Sequence, residues 1–188
     1  MKDPKVIDSK VVFGPCRQAF THVFTKHSAN DEDEGKFSTT IMIPKDEKKT
    51  VAAIEKAIEA AKRAGIVGKW GGKEPKKLQL PLADGDDKAD DYPEFAGHWL
   101  INAKCKTRPN VVDKKLSPIV DEDDFYSGCW AMCSVTFFPY DTSGNRGVAA
   151  GLNNLMKTKD DDRFGGRASA ESDFADFTDD EEEDDDDL

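Results

Sequence analysis

The fold is decided by a stretch of alternating residues, GCWAMCSVTFFPY, at positions 128–140. The odd-numbered positions carry small or apolar residues, namely Cys129, Ala131, Cys133, Val135 and Phe137. The even-numbered positions carry larger or more polar residues, namely Trp130, Met132, Ser134, Thr136, Phe138 and Tyr140. Successive side chains of a β-strand point to opposite faces of the sheet. The stretch therefore predicts a strand with one face in a core and with rings and small hydroxyls on the other face.

A second stretch, HWLINAKCK at positions 98–106, alternates in the same way. Its apolar positions are Trp99, Ile101, Ala103 and Cys105, and its other face ends in Asn102, Lys104 and Lys106. Further extended segments are predicted at residues 6–24, with a bend or bulge at Gly14-Pro15, and at residues 36–43, 78–82 and 147–156. Polar loops or turns at residues 27–35, 84–91 and 142–145 separate these segments.

One helix is predicted after residue 46. Apolar residues recur there at helical spacing, namely Ala52, Ala53, Ile54, Ala57, Ile58 and Ala61. Asp46 is expected to cap the start of this helix and Gly65 to end it. Residues 65–77 predict an irregular loop around Trp70. Several strands, one helix and polar turns indicate a mainly β architecture, either a barrel or a sandwich that carries a helix.

The charges of the 188-residue chain are unevenly distributed. Of its 38 acidic residues, twelve lie between positions 171 and 188, where there is no basic residue. The rest of the chain has 26 acidic against 27 basic residues, a net charge of +1, whereas the whole chain has −11. We expect one domain over residues 1–168 and a disordered acidic tail over residues 169–188, because the tail has too little apolar surface for a core.

Several classes of protein and of site are excluded. The sequence shows neither a secretory leader nor an apolar run near the roughly 20 residues of a membrane span, so we expect a cytoplasmic protein with reduced cysteines. Those cysteines, Cys16, Cys105, Cys129 and Cys133, are interpreted as buried small hydrophobes. The acidic groups at residues 84–87 and 121–124 lack calcium-loop spacing and are interpreted as solvated turns. We therefore expect no metal, no cofactor and no enzymatic activity.

Basic and aromatic residues are interleaved on the faces that the core does not need. Single-stranded nucleic acid requires this combination, because cations follow the phosphates and rings stack on unpaired bases. The alternative is that the rings simply fill the core. The candidate DNA-binding residues are Arg17, Phe20, Phe24, Lys36, Lys104, Lys106, Arg108, Trp130, Tyr140 and Arg146.

The acidic tail supports the same interpretation. It contains Phe174 and Phe177, then nine consecutive acidic residues, and it ends in Leu188. A tethered polyanion would occupy a cationic groove when DNA is absent and would be exposed to partner proteins when DNA displaces it. The alternative is a tail that only keeps the protein soluble. The candidate partner-binding residues are Phe174, Phe177, Asp184, Asp185, Asp186, Asp187 and Leu188.

Six stretches in order along residues 41–154 resemble the phage-encoded single-stranded-DNA-binding proteins with an OB-fold. They are IMIPK (41–45), PLADGD (81–86), INAK (101–104), PNVVD (109–113), YSGCW (126–130) and GNRGVAAGLNN (144–154). The resemblance implies a five-stranded OB barrel with DNA across its open face, and it places Arg17 and Phe20 where such proteins carry an Arg and an aromatic residue. It also implies that the tail recruits replication enzymes, although such tails often end in Phe, unlike Leu188.

The predicted function is therefore non-enzymatic. We expect a protein that binds single-stranded DNA without sequence specificity, coats and protects it during phage replication or recombination in the host cytoplasm, and recruits replication or recombination proteins through its tail. The alternative is an acidic-tailed β-barrel chaperone that binds basic protein partners.

Overall fold

The computed structural model describes residues 1–30 and 34–165, which form eight strands and one α-helix. The strands are β1 (Lys5–Ile7), β2 (Lys10–His27), β3 (Lys36–Pro44), β4 (Leu82–Asp84), β5 (His98–Cys105), β6 (Asn110–Val112), β7 (Trp130–Thr142) and β8 (Asn145–Lys159). The helix, α1 (Lys48–Gly68), is inserted between β3 and β4. Two short 3₁₀ turns, at Gly85–Lys88 and Pro93–Phe95, lie between β4 and β5.

Five of the strands close into a barrel. β5 pairs with β3, β3 with β2, β2 with β7 and β7 with β8, all antiparallel. β8 returns to β5 through a parallel pairing of Lys104 with Gly151. β1, β4 and β6 add short pairings to β2, β5 and β8. The expected five-stranded barrel with one inserted helix is confirmed.

The barrel core is built from the faces that the alternation predicts. The five odd-numbered residues from Cys129 to Phe137 are at most 1% exposed, and Ile101 and Ala103 of β5 are fully buried. α1 covers one side of this core and packs against β1, β2 and β7. The alternation alone was sufficient to predict which side chains enter the barrel core, because the opposite orientation would expose these apolar side chains to water.

One polar side chain, Gln18, lies inside the barrel and is fully buried. Its Nε2 donates to the Cys16 carbonyl oxygen at 3.0 Å and to Cys133 Sγ at 3.3 Å, and its Oε1 accepts from Thr39 Oγ1 at 3.0 Å. A buried amide is tolerated when its hydrogen bonds are made. Gln18 therefore ties β2 to β3 and β7 from inside.

The helix boundaries differ from the prediction. Glu47, not Asp46, precedes the first turn, and its side chain makes no capping hydrogen bond; its Oε1 accepts instead from the Met1 amino group at 3.1 Å. Gly65 lies inside the helix, where it makes room for the buried Trp70 indole: a Cβ there would lie 2.6 Å from Trp70 Cη2. Trp70 lies in the predicted loop, just after α1, but its side chain is buried in the core. Ala52, assigned to the apolar positions, faces solvent.

The first predicted strand, residues 6–24, is interrupted by a turn, and the short β1 and the long β2 on either side of it form a hairpin. Asp8, at φ 53°, turns the chain between β1 and β2, a left-handed conformation that aspartate tolerates and that the strand prediction missed. The irregularity predicted at Gly14-Pro15 is confirmed as a register shift between Phe13 and Cys16. At the other end of the fold, Ser143 and Gly144, at φ 52° and 86°, form the two-residue turn between β7 and β8.

The cysteines are unpaired thiols within the described residues. Cys16, Cys129 and Cys133 are buried as predicted, whereas Cys105 is half-buried. Burial raises the pKa of Cys129 to about 11 and that of Cys133 to about 12. These thiols therefore stay protonated and pack as small apolar groups.

The acidic turn after β4 is organised by a lysine. Lys45 Nζ lies 2.6 Å from both Asp84 Oδ1 and Asp86 Oδ2, and these contacts hold the pKa of both carboxyls below the ordinary value. Among the described residues, no three His, Cys, Asp or Glu side chains are grouped as metal ligands would be. No helix in residues 1–30 or 34–165 is long and apolar enough to cross a membrane.

Candidate nucleic-acid interface

A groove crosses the outer surface of the barrel over β2, β3, β5, β7 and β8. It consists of two adjoining cavities of about 400 and 840 Å³ that share Lys36, Asn102 and Lys104. We call it the front groove. Its lining includes Phe20, His22, His27, Lys36, Asn102, Lys104, Lys106, Phe138, Tyr140 and Gly151.

Strand register explains why these residues share one surface. His22 lies opposite Ser38, Ser38 opposite Lys104, Lys104 opposite Gly151, and Gly151 opposite Thr136. Residues in register across neighbouring strands point to the same side of a sheet. The row therefore crosses the barrel wall from β2 to β7 on its outer side, opposite the buried face.

The front groove is positively charged. Lys36, Lys104 and Lys106 are exposed, and no Asp or Glu side chain in the described residues lies within 4.0 Å of their ammonium groups. No described Asp or Glu lines either cavity. These three predicted residues are thus brought together and are available to an anion.

Aromatic rings flank the lysines. Phe20 sits on a bulge of β2 with φ 47°, and its side chain is 46% exposed at one end of the groove. Tyr140 lines the other end, where its hydroxyl donates to Gln79 Oε1 at 2.8 Å. Phe138, also 46% exposed, lies next to Gly151, which carries no side chain to fill the space beside the ring. Rings with an open face are available to stack on bases.

Three other predicted residues lie away from the groove lining. The Arg108 guanidinium lies 5.1 Å from the centre of the Phe24 ring, which packs against the barrel core. Phe24 lines a separate cavity of about 550 Å³ that also contains Glu122 and Asp123. Arg146 pairs with Asp141 at 2.8 Å near the tip of the β7–β8 hairpin.

Arg17 and Trp130 are covered by residues 160–164, which we call the C-terminal strap. Arg17 donates from Nε to the Gly128 carbonyl oxygen at 2.9 Å and from Nη2 to the Asp162 carbonyl oxygen at 2.8 Å. Its guanidinium lies 4.2 Å from the centre of the Phe164 ring. Trp130 Nε1 donates to Asp161 Oδ2 at 2.7 Å. Both residues therefore already have anionic or aromatic partners from the chain itself.

Ionic contacts hold the strap in place. The Trp130 hydrogen bond, with help from the nearby Arg17 charge, lowers the pKa of Asp161. Asp160 accepts from Lys157 Nζ and from the Tyr126 hydroxyl, both at 2.7 Å, and these contacts lower its pKa. Phe164 packs on a small cluster that includes Phe95, whose ring centre lies 6.0 Å from that of Phe20. The strap thus ends next to the Phe20 end of the front groove.

Sequence reasoning missed four residues of this surface. Phe138 could have been found, because it lies on the outer face of the predicted strand at 128–140. Tyr92, 39% exposed and 5.2 Å from Phe20 between ring centres, lies in the turn region before β5 and follows no periodic pattern. His22 and His27 meet only through a bulge of β2. The tail residues Phe174, Phe177, Asp184, Asp185, Asp186, Asp187 and Leu188 lie outside the described residues.

Comparison with known proteins places the chain among phage proteins. The model of a family described as the single-stranded-DNA-binding protein of Enterobacter phage Enc34 matches residues 9–188. A putative protein p50 of Acyrthosiphon pisum secondary endosymbiont phage 1 is 31% identical over 175 residues, which cover 86% of this chain and 91% of p50.

Solved structures agree with this relationship. The single-stranded-DNA-binding protein from bacteriophage Enc34, solved in complex with single-stranded DNA, superposes with a TM-score of 0.77 at 26% identity over 88% of this chain and 95% of that one. The single-stranded-DNA-binding protein gp2.5 of bacteriophage T7 shares the fold, with a TM-score of 0.60 at 16% identity over 85% of this chain and 97% of gp2.5.

Proposed function

Because this chain belongs to the family of the single-stranded-DNA-binding protein of Enterobacter phage Enc34, we propose that it binds single-stranded DNA along the front groove. The observation that carries the proposal is the groove itself, where three lysines without carboxylate partners in the described residues lie beside half-exposed rings. Binding, not catalysis, is the proposed activity. Its role would be to coat and protect single strands while phage DNA is replicated or recombined in the host cytoplasm.

The chemistry of the groove favours single strands over duplex. Lys36, Lys104 and Lys106 would contact phosphates, and Phe20, Phe138 and Tyr140 would stack on bases that only an unpaired strand exposes. Stacking contributes about 1–3 kcal/mol per base and tolerates every base, because each base has a π-face. Little sequence preference is therefore expected.

The remaining predicted residues would contribute at the margins of this path. We propose that Phe24 with Arg108, and Arg146 on the β7–β8 hairpin, contact DNA beyond the two ends of the groove. DNA would reach Arg17 and Trp130 only by displacing the C-terminal strap, which already supplies anions and a ring to them.

We further propose two roles for residues 169–188. At a high effective concentration near the groove, their negative charges would compete with DNA for the groove lysines. Once DNA displaces the tail, its phenylalanines, terminal aspartates and Leu188 would recruit replication or recombination proteins. The support is the charge contrast between this tail and the almost neutral domain.

The test is a fluorescence titration of labelled oligonucleotides of about 30 nucleotides, single-stranded and duplex, at several salt concentrations. We expect much tighter binding to the single strand, and an affinity that falls with salt by a log–log slope of about 0.7 per phosphate neutralised. Equal affinity for duplex, or a flat salt response, would overturn the proposal. A domain truncated after residue 168 that binds no DNA but captures basic proteins would favour the chaperone alternative.

A further inference from the structure

Two histidines face each other in the front groove, and neither is among the DNA contacts proposed for it. The imidazole rings of His22 and His27 stack with their centres 4.3 Å apart and their planes within 12° of parallel. Both line the smaller cavity of the groove, together with Phe20, Lys36 and Lys104. The pair thus shares one cavity with a proposed base-stacking ring and two proposed phosphate contacts.

The strand geometry that brings the pair together is specific. Residues five apart on a regular strand point to opposite faces. On β3, however, Lys36 lies opposite His27 and Ser38 opposite His22, so five steps along β2 match only two steps along β3. The extra residues bulge out of the ladder and turn both imidazoles to the groove side. Bulges of this kind re-aim side chains, often beside functional sites.

The charged groups that line the same cavity as the pair are cationic, whereas acidic groups lie in the neighbouring cavity and loop. Lys36 reaches the cavity from β3 and Lys104 from β5. Lys26, next to His27 on β2, lies with its ammonium 5.9 Å from the centre of the Phe37 ring. Glu122 and Asp123 line the neighbouring cavity, which His22 also borders, and Glu34 precedes β3. Residues 31–33 of the same loop, Asp, Glu and Asp, lie outside the described residues.

We propose that His22 and His27 form a subsite for one phosphodiester of the DNA backbone, and that filling it takes up a proton. This inference rests on the proposed DNA-binding function and assigns a new contact within the same groove. The proton goes from solvent to a ring nitrogen of the pair, and the resulting imidazolium donates to a phosphate oxygen. No covalent bond is formed or broken.

The physical chemistry fixes the direction of the effect. In the free protein, partial burial and the neighbouring His27 lower the pKa of His22, so its ring is neutral at physiological pH. A phosphate anion beside the pair favours the charged form and raises the pKa. Binding must therefore strengthen as the pH falls, by up to about tenfold per pH unit for each proton taken up.

The chain offers a matched control. Among its three histidines, His98 lies outside the lining of the front groove, where its Nδ1 is 2.8 Å from the Ala96 carbonyl oxygen. His27 is exposed at the end of β2, so substitution there is tolerated by the fold more readily than substitution of the half-buried His22. H27Q, H22Q and H98Q therefore separate the subsite from any other histidine effect.

The experiment is a titration of the full-length protein with labelled oligothymidylate, whose bases do not ionise between about pH 6 and pH 8, at constant ionic strength. We expect wild-type affinity to rise about threefold to tenfold from pH 8 to pH 6, H98Q to show the same rise, and H22Q to lose most of it, because H22Q removes the ring whose pKa is lowered in the free protein. Calorimetry in two buffers of different ionisation enthalpy should detect proton uptake in wild type and H98Q but not in H22Q.

Each outcome is decisive when thermal melts at both pH values show folded protein. An unchanged pH dependence in both H22Q and H27Q would overturn the subsite, and so would its loss in H98Q. H22F, which keeps a stacking ring but cannot be protonated, should lose the pH dependence as H22Q does; if H22F keeps it, the proton is taken up elsewhere and the subsite is overturned. Failure of the wild-type protein to bind oligothymidylate at any pH would instead overturn the proposed function itself.

Discussion

The front groove and the surface beneath the C-terminal strap contain the same kinds of side chain, yet they differ in what already occupies them. In the groove, Lys36, Lys104 and Lys106 have no carboxylate partner in the described residues, and Phe20 presents nearly half of its surface. Beneath the strap, Arg17 already contacts two carbonyl oxygens, the Asp161 carboxylate at 3.4 Å and the Phe164 ring. A basic and aromatic composition therefore identifies a candidate surface, but the neighbours decide whether it is available.

The difference has an energetic meaning. A lysine of the groove exchanges only water and counterions when it binds a phosphate, and counterion release favours that exchange. Arg17 would have to give up charge-assisted hydrogen bonds, each stronger than a neutral one, before it could bind. At equal intrinsic attraction for phosphate, we therefore expect the groove to be the better DNA site.

The largest expected effect comes from removing the groove charges. The triple substitution K36Q/K104Q/K106Q should weaken single-stranded-DNA binding by roughly 10- to 100-fold at low salt and reduce the salt slope by about 2, since each lysine neutralises up to one phosphate. The matched control replaces three exposed lysines outside the groove lining, K48Q/K56Q/K69Q. Equal losses in both variants would mean that net charge, and not the groove, attracts the DNA.

The second largest effect is expected from removing the exposed rings of the groove. Phe20→Ala and Phe138→Ala should each weaken binding by about 1–3 kcal/mol, which is about 5- to 150-fold, with little change in the melting temperature because both rings are exposed. Val67→Ala, at an 87% exposed site on α1, is the control.

Trp130→Ala should show the opposite behaviour: a lower melting temperature from the loss of its contact with Asp161, and a smaller change in affinity. Binding curves run beside thermal melts distinguish the two classes of ring.

Removing residues 169–188 should give a smaller and salt-dependent effect. We expect the truncated protein to bind DNA several-fold more tightly at low salt, because twelve negative charges no longer compete for the groove. The difference should shrink above about 0.1 M salt, where screening shortens the interaction to about 10 Å. The same truncation should abolish recruitment of replication partners in a pull-down. Unchanged low-salt affinity would favour the solubility role of the tail.

The smallest expected effect concerns the strap itself. Because the pKa of Asp161 is lowered in the folded protein, its contribution to stability is present above the ordinary carboxyl value and is lost as the pH falls through the lowered value. Asp161→Asn should therefore reduce the melting temperature at pH 7 by an amount equivalent to less than about 1 kcal/mol, since Asp161 and its ionic partner Arg17 are both partly exposed. The difference from wild type should vanish in acid. A difference that persists below the lowered pKa would mean that the negative charge of Asp161, beside Trp130 Nε1 and Arg17, is not its source.

Much of the fold followed from local pattern. The alternation at residues 98–106 and 128–140 placed both strands and their barrel-core faces correctly, because a side-chain period of two permits only one face in that core. Exposed Lys104 and Lys106 followed from the same rule. The burial of Leu100 on the opposite face of β5, in a second cluster with Met42 and Phe95, was not predicted.

Two residues show the limit of local pattern. Asp8 turns the chain inside a predicted strand. Gly65, predicted to end the helix, lies inside it, where the absence of a side chain leaves room for the Trp70 ring.

What the sequence determined by itself was the five strands of the barrel, the inserted helix and the kinds of residue on the outer face; the short β1 and β6 were not predicted as separate strands. Only the tertiary structure decided which of those residues remain available, because availability depends on partners that are distant along the chain. Arg17 is covered by Asp162, 145 residues away, and the groove exists because Lys104 meets Gly151 where the barrel closes. His22 and His27 meet because β2 bulges against β3. Local periodicity carries no information about such contacts, since the packing of the whole chain determines them.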